Sequence, residues 1–383
     1  MTSQSHIYYD IDILNSDEKG LLPDQNLTFY ETRNSPFIEK PSDYNLSIIR
    51  FQINDTTSLP VFIPEIEPNQ ADINKTIYHV QIKSILGVAQ STQVAVQHLS
   101  LNVDINNYPS SPVGATQERN TYYYIYQYQL FIDQINQALY TAFYEVKAIL
   151  GGDIPADAIP PFLTFDVNTK KISIYASQDT FDKDGMVGLQ ICFNAPLQKL
   201  LSSLSYIDYG FRRIKANHPL RYALWLGVNN NKTSTRTLNN VSVPSVTSAG
   251  VYLVNECQDL DIVLWNPISS IVFTSNTLPV VATNVSTPSS LGNLSSNGNN
   301  QNLANIITDF EVGIDANNSY RNSILYSPQS EYRLFSMNSS QPLNSIDISV
   351  WWKDKYGFLS PFKLGPGSFA NIKLLFRKKD YLL

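Results

Sequence analysis

The chain has 383 residues, more than one domain usually holds, so two units are expected. Only 16% of the residues are charged, while 43% are hydrophobic and 23 are Tyr; a surface rich in Asn, Ser, Gln, Thr and Tyr suits strands and loops better than solvent-laced helices. The formal net charge of −6 speaks against a broad nucleic-acid footprint, and no apolar stretch approaches the roughly 20 residues of a membrane-spanning helix.

Taken in chain order, residues 1–40 are polar and turn-rich, ending in Asn34-Ser35-Pro36 and Lys40-Pro41, and predict a partly ordered N-terminal arm. The first twenty residues lack the basic start and apolar core of a secretory signal, which predicts a protein made in the cytosol. From Ser42 a strand pattern begins. Tyr44, Leu46 and Ile48 alternate, then Ile49, Phe51 and Ile53 continue one step out of phase, the mark of a β-bulge. Leu59-Pro60-Val61-Phe62-Ile63-Pro64 is apolar with proline near both ends and reads as a short edge segment. Tyr78, Val80 and Ile82 alternate, as do Leu99, Leu101, Val103 and Ile105.

The middle of the chain changes character. Within residues 128–149, Phe131, Ile135, Ala138, Ala142 and Val146 recur at helical spacing, and Gly151-Gly152 ends the pattern. A hairpin follows, Phe162–Val167 and Lys171–Tyr175 around a turn at Asn168-Thr169, then a strand at Val187–Phe193 and a short helix at Pro196–Leu204. Residues 229–250 carry few signals. After Gln258 the strand pattern returns at Asp261–Trp265, Ile271–Thr274, Ile306–Ile314, Tyr332–Met337, Ile346–Lys353 and Ile372–Phe376, with a polar low-complexity loop expected at 284–302. In the run at Ile346–Lys353, Ile346, Ile348, Val350 and Trp352 share one face, and Asp347, Ser349, Trp351 and Lys353 the other. With Ile372–Phe376 across a Gly/Pro-rich turn, this run looks like the closing hairpin of a sandwich.

About eight strands around a mixed block predict a mainly β protein: a single jelly-roll β-sandwich with an inserted α+β outer domain. The boundaries expected are 1–40 for the arm, 41–115 and 255–383 for the two parts of the jelly roll, and 116–254 for the insertion.

Chemistry-bearing constellations are weak. His6, His79, His98 and His218 are scattered without metal-ligand spacing, and with Cys192 and Cys257 they make no zinc pattern. Cys192 lies in an apolar run and reads as a small buried hydrophobe; a disulfide to Cys257 is possible but nothing indicates one. Asp182-Lys183-Asp184-Gly185 resembles a calcium loop, but Ile191 stands where the closing Glu belongs, so a hairpin turn is the preferred reading. The run Tyr122-Tyr123-Tyr124-Ile125-Tyr126-Gln127-Tyr128 admits a stacking patch for a sugar or partner; its position beside the helix favours packing on both sides of the chain. Arg377, Lys378 and Lys379 read as a solvated strand end rather than a nucleic-acid contact. No nucleophile elbow or phosphate loop occurs. No residue is therefore assigned a catalytic, cofactor-binding or metal-binding role, and no enzyme activity or cofactor is expected.

The C-terminal third carries an ordered series: Ile307-Thr308-Asp309-Phe310, Ser323-Ile324-Leu325-Tyr326-Ser327-Pro328, Glu331-Tyr332-Arg333-Leu334, Pro342–Asp347, Trp352–Gly357, Pro361-Phe362-Lys363-Leu364 and Ile372–Phe376. Upstream, Lys40–Tyr44, Arg50-Phe51 and Pro60–Pro64 fit the same pattern. This series resembles the penton-type minor capsid proteins of virophages and polinton-like viruses, in particular a Sputnik-like virophage penton. The likeness covers most of the chain and is specific at its two ends. It implies a structural virion protein, located at the capsid vertex and assembled in the host cytoplasm. It also implies a homopentamer set among double-jelly-roll major capsid proteins, with the inserted domain available to a host receptor or fibre. The rival readings are a jelly-roll receptor- or carbohydrate-binding protein and, more distantly, a jelly-roll glycosidase.

Overall fold

A computed structural model describes residues 5–16, 25–54, 59–100 apart from 86 and 88, 120–208, 222–237 apart from 230, 249–280, 305–311, 324–327 and 333–379 apart from 356 and 358. The chain divides into two compact units, one made of Met1–Leu59 with Pro267–Leu383 and the other of Pro60–Asn266. Before the division lie β1 (His6–Leu14), β2 (Gln25–Asn26), β3 (Thr28–Thr32) and β4 (Tyr44–Asn54). The middle holds β5 (Lys75–Ser84), β6 (Val94–Gln97), α1 (Tyr128–Leu150), β7 (Phe162–Phe165), β8 (Ile172–Ser177), α2 (Gln178–Phe181) and β9 (Leu189–Phe193). It continues with α3 (Ala195–Leu200), β10 (Tyr206–Asp208), β11 (Tyr222–Leu224), β12 (Lys232–Thr237) and β13 (Ala249–Glu256). The last part contributes β14 (Ile268–Ser275), β15 (Asn305–Glu311), β16 (Ile324–Tyr326), β17 (Phe335–Ser336), β18 (Ser345–Asp354), β19 (Leu359–Pro361), β20 (Lys363–Leu364) and β21 (Phe369–Lys378).

The discontinuous unit is a jelly-roll sandwich of two antiparallel sheets. One runs β1-β21-β4-β16 with β17 also on β4; the other runs β15-β14-β18-β19 with β3 also on β18. Their inner faces meet around Phe51 of β4, whose ring lies 5.2 Å from Phe273, 5.8 Å from Phe310 and 6.0 Å from Phe362. Strand β18 follows the expected alternation: Ile346, Ile348, Val350 and Trp352 are buried, and the intervening residues are half-buried. Trp351 faces outward and donates from Nε1 to Thr274 Oγ1 at 2.9 Å. The bulge in β4 is also present. Lys373 pairs with Arg50 and Leu374 with Ile48, so Ile49 has no partner opposite. The extra residue lets Leu46, Ile48, Phe51 and Ile53 all reach the core despite the break in phase.

Asp347, on the outward side of β18, ties that strand to the chain leaving β14. Its carboxylate accepts from Ser275 Oγ at 2.5 Å, Thr277 Oγ1 at 2.7 Å, and the amides of Asn276 and Thr277 at 2.9 and 2.8 Å. Partial burial opposes ionisation, but these donors outweigh it and hold the carboxyl below its usual range.

The continuous unit has two sheets, β10-β11-β9-β5-β6 and β12-β13-β8-β7, with α1 packed on β5, β6 and β7. The apolar stripe of α1, Phe131, Ile135, Ala138, Ala142 and Val146, is buried in a core shared with Val80, Ile82, Ile174 and Leu253. Asn136, buried on the same helix, accepts from the Leu163 amide at 2.7 Å and donates to the Leu163 carbonyl at 2.9 Å, fixing the helix to β7. Gly151 ends the helix at φ +57°, a backbone state that costs glycine little.

Four expectations need correction. The partly ordered arm expected at 1–40 gives way, among the described residues, to strands of the sandwich, because β1 pairs along its whole length with β21 and β3 with β18. The polar average over forty residues concealed the alternation of Ile7, Tyr9, Ile11 and Ile13. The division falls at Leu59/Pro60 and Asn266/Pro267, so the stretch from 60 onward, expected in the jelly roll, belongs to the second unit, as do residues 255–266. The two terminal runs are not a hairpin. β18 lies in one sheet and β21 in the other, while the hairpin partner of β18 is β19. Asp261–Trp265 is a 3-10 helix rather than a strand, with Ile262 and Trp265 turned inward at its three-residue period. Leu101, Val103 and Ile105, the loop at 284–302 and His218 lie outside the described residues.

Truncating the buried Trp352 to Ala is expected to cost roughly 3–5 kcal/mol in denaturant unfolding, and Trp351→Ala clearly less; equal losses would contradict the assigned faces. The contribution of Asp347 is full above its unfolded pKa near ~3.9 and is lost as the pH falls through its lower folded value. Melting temperature should therefore fall more gently with acid in Asp347→Asn than in the native protein, from a lower starting point at neutral pH. Removing residues 1–14 uncovers one side of β21 and takes the buried Ile11 out of the core, and circular dichroism should show loss of the cooperative transition rather than a folded, tailless protein.

Candidate assembly surface

The sandwich has two lateral edges. At one, β1 ends the first sheet and β3 borders the second. Tyr9 of β1 donates to the carboxylate of Glu31 on β3, which also receives Arg33 Nε. The Arg33 guanidinium lies 4.4 Å over the Phe37 ring and 5.5 Å over Tyr9, and Tyr9 stands edge-on to Phe37 at 5.4 Å. Burial, then the Glu31 hydrogen bond and charge, push the Tyr9 hydroxyl up to about 12; Tyr9 and then Arg33 hold Glu31 below the usual carboxylate range. The described part of the first forty residues thus seals the gap between the two sheets at this edge with a neutralised cluster, while β1 remains the terminal strand of its sheet.

The opposite edge is formed by β16 and β15, where Tyr326 stacks on Phe310 at 4.3 Å. Leu325 of β16 points outward and is 68% exposed. Between these edges, the outward face of the first sheet carries a polar lattice. Arg50 reaches Asp10 at 3.0 Å and Asn371 at 2.8 Å, Lys373 reaches Asp10 at 3.2 Å, and Asn371 donates to Asp12 at 2.6 Å. Tyr8 and Tyr30, 56% and 69% exposed, stand at the sealed edge. The described face therefore carries internally paired polar groups, with a few large uncovered side chains at the edges of the sandwich.

The residues weighed for chemistry do not come together. His98 is buried, with Nε2 on the Tyr122 carbonyl at 3.0 Å. His79 sits beside Asn194, whose carboxamide bonds the His79 ring nitrogen at 3.2 Å. Cys192 and Cys257 are separate buried free thiols, and Cys257 donates to Asp261 at 3.1 Å. Asp182–Gly185 forms a turn between α2 and β9, with Lys183 on Asp184 at 2.7 Å. Among the described residues no group of His, Cys, Asp and Glu is placed to hold a metal ion. The tyrosine run packs inward: Tyr123 and Tyr128 are buried, Tyr122 donates to Asn74 at 2.9 Å and Tyr123 to the Ile73 carbonyl at 3.1 Å. Lys379 of the basic cluster donates to the carbonyls of Ser42 and Met337, at 2.6 and 3.1 Å. The sequence reading missed the Tyr9–Glu31–Arg33–Phe37 cluster; the alternation in β1 marked Tyr9 as inward-facing, but nothing local joins it to Glu31, Arg33 and Phe37.

Comparison with known proteins agrees with the sandwich and its resemblance. Protein V18 of Sputnik virophage is 36% identical over 155 residues, covering 39% of this chain and 89% of its own length. Structural protein V19 of the same virophage is 28% identical over 218 residues, 56% of this chain and 93% of its own. A chain of the Sputnik virophage, solved by cryo-EM, superposes with a TM-score of 0.74 at 28% identity, over 99% of both chains. The mavirus penton protein shares the fold at a TM-score of 0.60 and 19% identity, over 98% of this chain and all of that one. No helix among the described residues is long and apolar enough to cross a membrane. The family profile matches residues 7–378, sealed edge and sandwich included, and the chain belongs to the Sputnik minor capsid protein V18/19 family.

Proposed function

We propose that the protein is a penton: a homopentamer that closes the five-fold vertices of an icosahedral capsid, bordered by double-jelly-roll major capsid proteins. The observation that carries the reading is the match of both units, over 99% of the chain, to a chain of a virophage particle. The sandwich supports it physically. A closed ring needs heterologous contacts, one surface of a copy docking on a different surface of the next. The two lateral edges differ as such contacts require: one is sealed by β1, β3 and the Arg33 cluster, the other presents β15, β16 and Leu325.

In this reading the protein resides in the virion after synthesis and assembly in the host cytoplasm. The jelly roll makes the shell contacts, and residues 60–266 are the outer part, the region for meeting a host receptor or fibre. The role is structural and not enzymatic, and nucleic acid is not a partner. Burial pushes the Cys192 thiol up to about 11 and Cys257 higher still, which makes both poor nucleophiles.

Native mass spectrometry of the purified protein, together with vertex occupancy in particles, tests the proposal. Fivefold mass or fivefold vertex density is expected, and Leu325→Asp should weaken ring formation while leaving the melting temperature within a degree or so, since an exposed side chain contributes little to the fold. A monomer or trimer with measurable glycan affinity would replace the penton with the receptor- or carbohydrate-binding reading.

A further inference from the structure

One end of the five-stranded sheet of the second unit breaks the usual chemistry of turns. β5 ends at Ser84, opposite Leu189 at the start of β9, and β11, antiparallel to β9, runs toward the same end. The turn after β5, the turn Asp182–Gly188 before β9 and the turn at Gly227–Val228 after β11 therefore converge. They are joined to one another: the Ile85 amide donates to the Gly188 carbonyl at 2.9 Å and the Lys183 amide to the Leu226 carbonyl at 3.2 Å. Turn tips normally carry Asn, Asp, Ser or Gly. Here the tips carry Ile85, Met186 and Val228, which are 47%, 99% and 39% exposed.

The charges at this end are already engaged. Lys183 pairs with Asp184, and the Asp182 carboxylate accepts from the amides of Asp184 at 3.2 Å and Val228 at 3.4 Å. This leaves little to select an ion or a nucleic acid. Lys183 also lies 5.2 Å over the half-buried Trp225 ring, just behind the apolar tips. An indole with an ammonium beside it is the pair that suits a boundary between water and hydrocarbon. The three apolar tips among the described residues offer far less than the roughly 800 Å² per partner that a stable protein pair buries, which argues against a second copy as the occupant. Projecting apolar tips of this size can instead enter the headgroup–acyl boundary of a bilayer singly, as the apolar side chains of interfacial helices do.

We propose that this end of the 60–266 unit is a membrane-contact tip. Ile85, Met186 and Val228 enter the headgroup–acyl boundary of a zwitterionic lipid bilayer, with Trp225 and Lys183 at the interface. The proposal does not rest on the penton reading, although a ring of copies would multiply a weak single contact.

The test is co-sedimentation of the full chain with phosphatidylcholine vesicles, using the native protein, Met186→Asp, and Ile85→Asp with Met186→Asp. Met186 is almost wholly exposed, so its substitution leaves the fold intact, as an unchanged melting temperature would verify. The native protein is expected to pellet with vesicles, also at about 0.5 M salt, where screening removes most surface electrostatics. The double variant should partition about tenfold less or weaker still, through loss of apolar burial. Four results would overturn the proposal: native protein that stays in the supernatant, variants that bind as well as native, binding confined to anionic vesicles and abolished by salt, or lipid-free self-association that Met186→Asp removes.

Discussion

The sandwich depends on the seating of β21 between β1 and β4. Every residue from Phe369 to Arg377 faces a partner on β1, and the strand pairs with β4 from Asn54 back to Tyr44. Ala370, Ile372, Leu374, Leu375 and Phe376 are buried there. A strand paired on both sides and buried beneath contributes to two ladders and to the core at once. Its partners come from the opposite end of the sequence, so the contact closes a very long loop. Loop closure grows only logarithmically in cost with length, which lets a whole second unit occupy the interval without a proportional penalty.

What the sequence disclosed follows from how local each signal is. The period-2 pattern of β18 placed Trp352 inside and Trp351 outside because both faces are set by neighbours within a few residues. The bulge at Ile49 and the stripe of α1 were readable for the same reason. β1 carries an equally clear alternation, but it sits within a polar stretch whose average composition suggested an arm. β3 gives no such hint, since Glu31 points to the inward side and finds its partners, among the described residues, in Tyr9 and Arg33. The apolar run at Asp261–Trp265 fits strand or helix. The choice was made at a distance by Ser203, which donates to Asp261 at 2.9 Å, and by Leu200, whose carbonyl takes Trp265 Nε1 at 2.7 Å. The separate sheets of β18 and β21 were invisible because a Gly/Pro-rich connection of this length serves a hairpin or a crossover equally well.

The assembly surface was less legible than the fold. Family likeness could be read from an ordered series of strand fragments, yet the edges that meet neighbours are defined by topology, which places residues 9, 31, 33 and 37 together across two sheets. An absence of catalytic spacing is a weak clue in any sequence. Several of the residues weighed for chemistry make framework contacts instead: His98 Nε2 meets a backbone carbonyl, Cys257 bonds Asp261 and Asp182 accepts from turn amides. Polar groups here tie the framework together.

The central position of β21 also sets a timetable for synthesis. A ribosome delivers β1 and β4 early, and both must wait with open ladders until β21 emerges after all the other strands of the sandwich. The 60–266 stretch, continuous and with its own core, is complete well before that moment and can fold on the nascent chain. A copy that lacks its last strand therefore presents two unpaired β margins, a species for chaperones to shield and for proteases to clear. Only chains that carry β21 own a closed sandwich, so the fold itself distinguishes them from products truncated before it.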